Sequence, residues 1–203
     1  VATLPVTVVA IDQKSLLEFG QWPWPRNLLA RLVRIIHRAE PAAIGKKVYG
    51  QWLLLSCLLS AFLLAVTNYI ALEVGSFPLV WILPLALYLG SFIVTFRTGG
   101  GVPSFLRNLW PEILLVGLLM FLLGPVHWLA ILGHLAVFFL VCLVSHGTLY
   151  ELRPPASHLT NFYLTSALGG WIGGALISLG APFVFPALYE YPIIVVLFAP
   201  AFW

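Results

Sequence analysis

Hydrophobic residues are concentrated in long segments after residue 51, and short polar stretches separate these segments. A helix needs roughly 20 apolar residues to cross the hydrocarbon core of a bilayer. The pattern predicts six transmembrane helices, at residues 52–72, 77–96, 109–123, 128–145, 159–180 and 191–203. The third and fourth are divided at Gly124-Pro125, because the continuous run is too long for one span. The sequence therefore predicts an all-α polytopic membrane protein.

The first 47 residues have a different pattern, with short apolar stretches and many basic residues. Residues 6–11 are rich in Val and predict a buried strand. Residues 22–25, Trp-Pro-Trp-Pro, form a stiff turn, and residues 27–39 predict an amphipathic helix. We therefore expect two domains: a basic, α/β-like N-terminal segment at 1–47 and a helical transmembrane domain at 48–203.

The composition supports the membrane class. Apolar residues make up 61% of the chain and charged residues 8%, whereas about a quarter of a soluble protein is charged. The net charge of +3 comes from residues that flank the apolar segments, so it indicates contact with anionic lipid and gives no indication of nucleic-acid binding.

The basic residues predict the orientation. Cytoplasmic loops of membrane proteins carry an excess of Lys and Arg. If the six spans alternate, all ten basic residues fall on one side: Lys14, Arg26, Arg31, Arg34, Arg38, Lys46, Lys47, Arg97, Arg107 and Arg153. The joints on the other side contain Glu73 and Glu190 and no basic residue. This asymmetry predicts a cytoplasmic N-terminus.

Few polar side chains fall inside or beside the apolar segments, and such residues are usually functional in membrane proteins. His134, His146, Arg153 and Glu112 form the candidate polar or ligand-binding site. The simpler interpretation is that His134 hydrogen-bonds a neighbouring helix and that Arg153 only sets the orientation. No catalytic residue is indicated.

No motif identifies a cofactor, and no His–Glu pair has metal-ligand spacing. In a pigment or redox complex, His127, His134 or His146 would be the residues that ligate a metal or macrocycle. Cys57 and Cys142 lie in apolar segments and are interpreted as small buried side chains.

Four glycines in the fifth segment are spaced for helix packing. Gly169 and Gly173 are four residues apart, as are Gly170 and Gly174. Small residues at this spacing allow two helix backbones to approach closely in lipid. Helix packing is the favoured interpretation, and a distorted helix along a substrate path is the alternative.

Three blocks in residues 51–192 resemble a known family: FPLVWILPLALYLGSFIVTFR at 77–97, SHGTLYELRPPASHLTNFYLTSALGGWIGG at 145–174 and APFVFPALYEYP at 181–192. They are similar to the membrane half of bacterial proteins that fuse a major-facilitator-like transporter to a spermidine synthase. The resemblance implies a bacterial inner-membrane protein. It also implies a cytosolic aminopropyltransferase-like domain after the last span, which these 203 residues do not contain, so we expect no enzyme activity here.

A second resemblance concerns residues 6–45, through VVAIDQKSLLEFGQWPWPRNLLARLV at 8–33 and AAIG at 42–45. This segment resembles the start of a CHASE-type extracytoplasmic sensor domain of the second class. An extracytoplasmic sensor would place the N-terminus outside, whereas the charge pattern places it inside. A junction between two unrelated segments near residues 45–49 would explain the conflict.

Three functions remain open. The favoured hypothesis is a non-catalytic accessory or structural subunit, which packs with other membrane subunits in the lipid bilayer. The alternatives are a transporter domain for small amines or other metabolites, and the membrane half of a spermidine-synthase-like enzyme or of a truncated sensor.

Overall fold

The computed structural model describes residues 18, 25–31, 45–74, 78–97, 104–124, 128–155 and 158–200. The chain divides into two compact units, Val1–Ile44 and Gly45–Trp203. In the first unit, residues 26–31 are helical, and all but Arg26 fall within the helix predicted at 27–39. The strand predicted at 6–11 lies outside the described residues.

The second unit is built from helices. In chain order they are α1 (Lys46–Val74), α2 (Pro78–Phe96), α3 (Ser104–Asn108), α4 (Trp110–Leu123), α5 (Trp128–Glu151), α6 (Leu159–Ala175), a π-helix (Leu176–Gly180), α7 (Ala181–Val184) and α8 (Glu190–Phe198). No strand occurs in the described part of the chain, so the predicted all-α class is confirmed for these residues.

Helix α1 is the centre of this unit. It packs most extensively against α6, and also contacts α2, α5, α8 and the π-helix. Its inward positions form a buried row: Trp52, Leu55, Leu59, Phe62, Ala65, Val66 and Tyr69. These positions repeat every three or four residues, which places them on one helix face. Helices α2 and α4 both pack against α5, and α4 also contacts α8.

The prediction of six spans needs correction. Of the described helices, three are long and apolar enough to cross a membrane: Lys46–Glu73, Leu129–Glu151 and Leu159–Val184. Two further apolar stretches, Trp81–Phe96 within α2 and Trp110–Leu123 in α4, have fewer than 18 residues. A helix of 14 residues is about 21 Å long, less than the roughly 30 Å of hydrocarbon.

Two irregularities shape the ends of these helices. Gly124 has a φ of 73°, a left-handed conformation that glycine adopts readily, and it ends α4. The π-helix follows α6 directly, and the N–H of Ala181 donates to the carbonyl oxygen of Leu176. Pro182 follows immediately and has no N–H, so the regular helix ladder is interrupted at this point.

Candidate functional site

The four residues of the predicted polar site do not come together in one place. His134 and His146 both lie on α5, but twelve residues apart, which is about 18 Å along a helix. Glu112 is exposed in the first turn of α4. Arg153 follows α5, and its guanidinium lies 5.0 Å from the centre of the Tyr150 ring. The structure thus contains two separate buried histidines and two charged residues outside the core.

His146 joins α5 to α2. Its Nδ1 lies 2.9 Å from the Ser91 hydroxyl, and both side chains are buried. The rings of Tyr88 and Phe92 pack edge-on against the imidazole. A Ser–His pair can serve as nucleophile and base when substrate reaches the hydroxyl. Here the pair is enclosed between two packed helices, so its role is to hold those helices together.

His134 lies in a second buried cluster, between α1, α5 and α8. Its Nδ1 is 2.8 Å from the Tyr191 hydroxyl, so His134 hydrogen-bonds a neighbouring helix. The Tyr69 ring lies against the imidazole, with 4.6 Å between ring centres. Two polar atoms of this cluster, His134 Nε2 and the Tyr69 hydroxyl, are buried without a hydrogen-bond partner. Most buried polar groups in proteins have partners, so these two atoms require an explanation.

A cleft of about 660 Å³ lies beside this cluster. It brings together residues that are far apart in the sequence: Asn68, Tyr69 and Leu72 of α1, Phe121 of α4, Ile177 of the π-helix, and Ala181, Pro182, Phe185, Pro186, Ala187, Leu188 and Glu190. The lining is mostly apolar, with a few polar groups, as in sites that bind small molecules. The cleft is the strongest candidate for a ligand site in the described residues.

Glu190 is the charged residue of the cleft lining. It begins α8 and is 6% exposed, although a buried carboxylate is costly unless it is paired. No described Lys or Arg forms an ion pair with it. On α1, Glu73 follows Tyr69 by one helix turn and is exposed. The end of the bundle that contains the cleft, here called the cleft end, is therefore acidic.

The opposite end of the bundle, here called the basic end, is tightly connected. The indole N–H of Trp52 donates to the carbonyl oxygen of Leu152 at 3.1 Å, which joins the start of α1 to the end of α5. Arg107 and Glu151 form an ion pair with an N–O distance of 2.6 Å. The basic residues of the helical unit lie here: Lys46, Lys47, Arg97, Arg107 and Arg153.

The glycines of α6 lie along α1. Gly169 and Gly173 are buried, and a Cβ added at either position would overlap a backbone carbonyl oxygen of α1, that of Leu53 or that of Cys57. The other two glycines are less constrained. A Cβ at Gly170 would come 3.1 Å from the Ser60 hydroxyl, and one at Gly174 would make an ordinary contact of 3.9 Å. Close backbone approach thus depends on Gly169 and Gly173.

In the described residues, no three His, Cys, Asp or Glu side chains lie where they could hold one metal ion. Cys57 and Cys142 are free thiols, the first partly buried and the second fully buried. His127 lies outside the described residues.

The sequence patterns missed the cleft because its polar residues come from two elements that are far apart in the sequence, α1 and α8. Tyr69 and Tyr191 are ordinary aromatic residues near span ends when only the sequence is considered. A weak signal exists at Asn68-Tyr69, a polar pair within an otherwise apolar segment. Another exists at Glu190, an acidic residue flanked by two tyrosines.

Comparison with known proteins gives one family match: the sequence model of the CHASE2 domain matches residues 1–61. It supports the resemblance noted for residues 6–45 and continues into α1 as far as Ala61. No curated protein and no solved structure matches the chain. The resemblance of residues 51–192 to a fused transporter and spermidine synthase therefore has no support from these comparisons. The CHASE2 match and the three membrane-length helices together indicate a membrane protein.

Proposed function

We propose that this chain is a non-catalytic membrane module that packs against other subunits of a larger assembly, in the inner membrane of a bacterium. The observation that carries the proposal is the exposure of α6. In an apolar 18-residue window of Leu159–Val184, 22% of the residues are buried, against 61% in the corresponding window of Lys46–Glu73. One face of α6 packs on α1, and the described residues leave most of its remaining surface uncovered.

The exposure of Trp171 favours a protein partner over lipid at this face of α6. This residue lies near the middle of Leu159–Val184, and its side chain is 71% exposed. Tryptophan in membrane proteins is enriched at the two interfaces, where its indole N–H meets water. Tryptophan is also enriched at the centres of protein interfaces. An exposed tryptophan at mid-span supports a second subunit that covers this face of α6.

The glycine contacts of α6 make it suitable for this role. Because Gly169 and Gly173 fix the α6 backbone against α1, the opposite face of α6 is held in a defined position. Several large apolar side chains are exposed on this helix: Tyr163, Leu164, Leu168, Trp171, Leu176 and Leu179.

Site-specific photocrosslinking in intact membranes tests this proposal. A benzophenone amino acid at position 171 is compared with the same group at Ile93, an exposed residue of α2. We expect position 171 to give one discrete protein adduct, and native gels of the wild-type chain to show a mass above its own 22.4 kDa plus detergent. Lipid adducts alone at both positions, with a monodisperse single chain, would contradict the proposal.

The CHASE2 match favours a second candidate, a receptor module in which residues 1–61 contribute to sensing. The match includes the first part of α1, so the sensor-related segment and the central helix of the bundle are continuous in sequence. This candidate requires the N-terminal segment to lie outside the cytoplasm, whereas the basic residues favour the inside.

Cysteine labelling with a membrane-impermeant maleimide decides between these orientations. Single cysteines are introduced at Ala30, Ser104 and Ala187, which are all exposed. The charge pattern predicts labelling from outside at Ala187 only. Labelling of Ala30 from outside would support the receptor module, and Ser104 reports independently on the basic end of the bundle.

A further inference from the structure

Three features come together at the cleft end. They are a buried carboxylate without an ion-pair partner among the described residues, aromatic rings, and an irregular segment that lines the cleft. Irregular backbone at membrane depth is tolerated where it lines a cavity or is buried in protein. Here the π-helix, Pro182 and Pro186 form one wall of the cleft.

We infer that this cleft binds a protonated organic amine with an apolar body. The Glu190 carboxylate supplies the opposite charge. The rings of Tyr69 and Phe121 line the same cleft, and ring faces attract cations. The inference is independent of the assembly proposal, because it concerns the cleft and not the exposed face of α6.

Charge selects a cation over an anion or a neutral ligand. Glu190 lines the cleft and Glu73 lies one turn of α1 beyond Tyr69. The described basic residues of the helical unit are at the other end of the bundle. A buried carboxylate is strongly destabilised when it is unpaired, so a ligand cation would satisfy it. Hydrogen bonds between charged groups are also about twice as strong as those between neutral groups.

Size and lining select an organic cation over a bare metal ion. A volume of about 660 Å³ is in the range of sites for small organic ligands. A metal ion would need several oxygen ligands around one point, whereas most of this lining is apolar: Leu72, Ile177, Pro182, Phe185 and Leu188. A soluble amine and a lipid with an amine headgroup both combine a positive charge with an apolar body, so both fit this description.

The test is equilibrium binding of radiolabelled hexylammonium to the purified full chain in maltoside micelles. Unlabelled hexylammonium, 1-hexanol and hexanoate are the competitors, which share a chain length and differ in charge. We expect hexanol and hexanoate to compete at least about tenfold more weakly than hexylammonium. Equal competition by hexanol would overturn the inference, since it would show that only the apolar body is recognised.

Two variants and a control locate the binding. Glu190→Gln keeps the side-chain shape and removes the charge, and we expect affinity for hexylammonium to fall about tenfold. Phe121→Leu removes one aromatic ring from the lining and should weaken binding by a smaller factor. The control, Glu112→Gln, removes an exposed acid that does not line the cleft. Wild-type affinity in Glu190→Gln, or an equal loss in Glu112→Gln, would contradict the assignment.

A fallback variant and a second pair of competitors complete the experiment. If Glu190→Gln is not monodisperse, binding to Phe121→Leu and the competition by hexanol decide the question without it. Short-chain phosphatidylethanolamine and soluble ethanolamine are then compared as competitors. Stronger competition by the lipid assigns the headgroup as the source of the amine, and stronger competition by ethanolamine assigns a soluble one.

Discussion

The two ends of the helical bundle differ in whether their acidic side chains are paired. At the basic end, Trp52 donates to a backbone carbonyl, and Arg107 pairs with Glu151. At the cleft end, the Tyr69 hydroxyl and His134 Nε2 are buried without partners, and Glu190 has no described ion-pair partner. Buried hydroxyls without partners also occur at Ser145 and Ser166, so the difference between the ends lies in the unpaired Glu190 and the cleft beside it. A buried carboxylate without an opposite charge is costly, whereas the Arg107–Glu151 pair is nearly half exposed.

The largest loss of stability is expected when one methyl group is added to Gly169, and little change is expected at Gly180. In Gly169→Ala the new Cβ overlaps the carbonyl oxygen of Leu53, so α6 must move away from α1. We expect a loss of about 1–3 kcal/mol or more, which is the usual cost of overpacking. The matched change Gly180→Ala, where no atom lies within 4 Å of the added Cβ, should be neutral. SDS titration measures the stability of both variants. Equal stabilities would contradict the prediction that Gly169 is the more constrained position.

Ser91→Ala is expected to have the next largest effect. The substitution leaves His146 Nδ1 buried without its partner at 2.9 Å, and an unsatisfied buried group costs about 1–3 kcal/mol. Ser91→Thr retains the hydroxyl and serves as the control, although its added methyl group must fit beside Tyr88. A wild-type midpoint for Ser91→Ala in SDS titration would show that the Ser–His contact does not hold α2 to α5.

Removing one polar atom at each end gives a direct comparison. Trp52→Phe loses the hydrogen bond to Leu152 and some aromatic packing, so its stability should fall by about 1–2 kcal/mol. Tyr69→Phe removes a hydroxyl that has no partner, so its stability should be unchanged or slightly raised. Thermal unfolding in one detergent compares the two variants, and a clear destabilisation by Tyr69→Phe would indicate an undetected partner.

The smallest effect is expected for the ion pair at the basic end. Arg107 and Glu151 are each nearly half exposed, and exposed pairs contribute about 0–1 kcal/mol. Arg107→Gln should therefore change the thermal midpoint little, and the difference should vanish at high salt. A large, salt-independent loss would mean that this pair is more deeply involved in packing than its exposure indicates.

The sequence predicted individual helices better than their arrangement. Apolar segments determine where helices form, so the starts of α2, α4 and α6 lie within one residue of their predicted positions. The end of α4 before Gly124 was also predicted, but its assignment as a full span was wrong, because 14 residues are too few to cross the bilayer. The contact of His134 with Tyr191 joins positions 57 apart, and periodicity along one segment carries no information about such pairs.

The cleft could not be predicted from the sequence for the same reason. Tyr69, Phe121 and Glu190 belong to three helices, and their proximity follows from how those helices pack rather than from any local pattern. The glycine spacing in α6 predicted a packing face but gave Gly170 and Gly174 the same weight as Gly169 and Gly173. The structure separates them, because only one of the two rows faces the backbone of α1.

The π-helix after α6 also sets the direction in which the following side chains point. Each residue of an α-helix turns the chain by about 100°, so the extra residue accommodated in Leu176–Gly180 shifts the angular position of everything after it. Ala181 and Pro182 line the cleft under this shift. Deleting Ser178 would restore a regular helical count and rotate both residues away by about a quarter turn. The shape of the cleft is thus encoded partly in the number of residues on the helix and not solely in their identities.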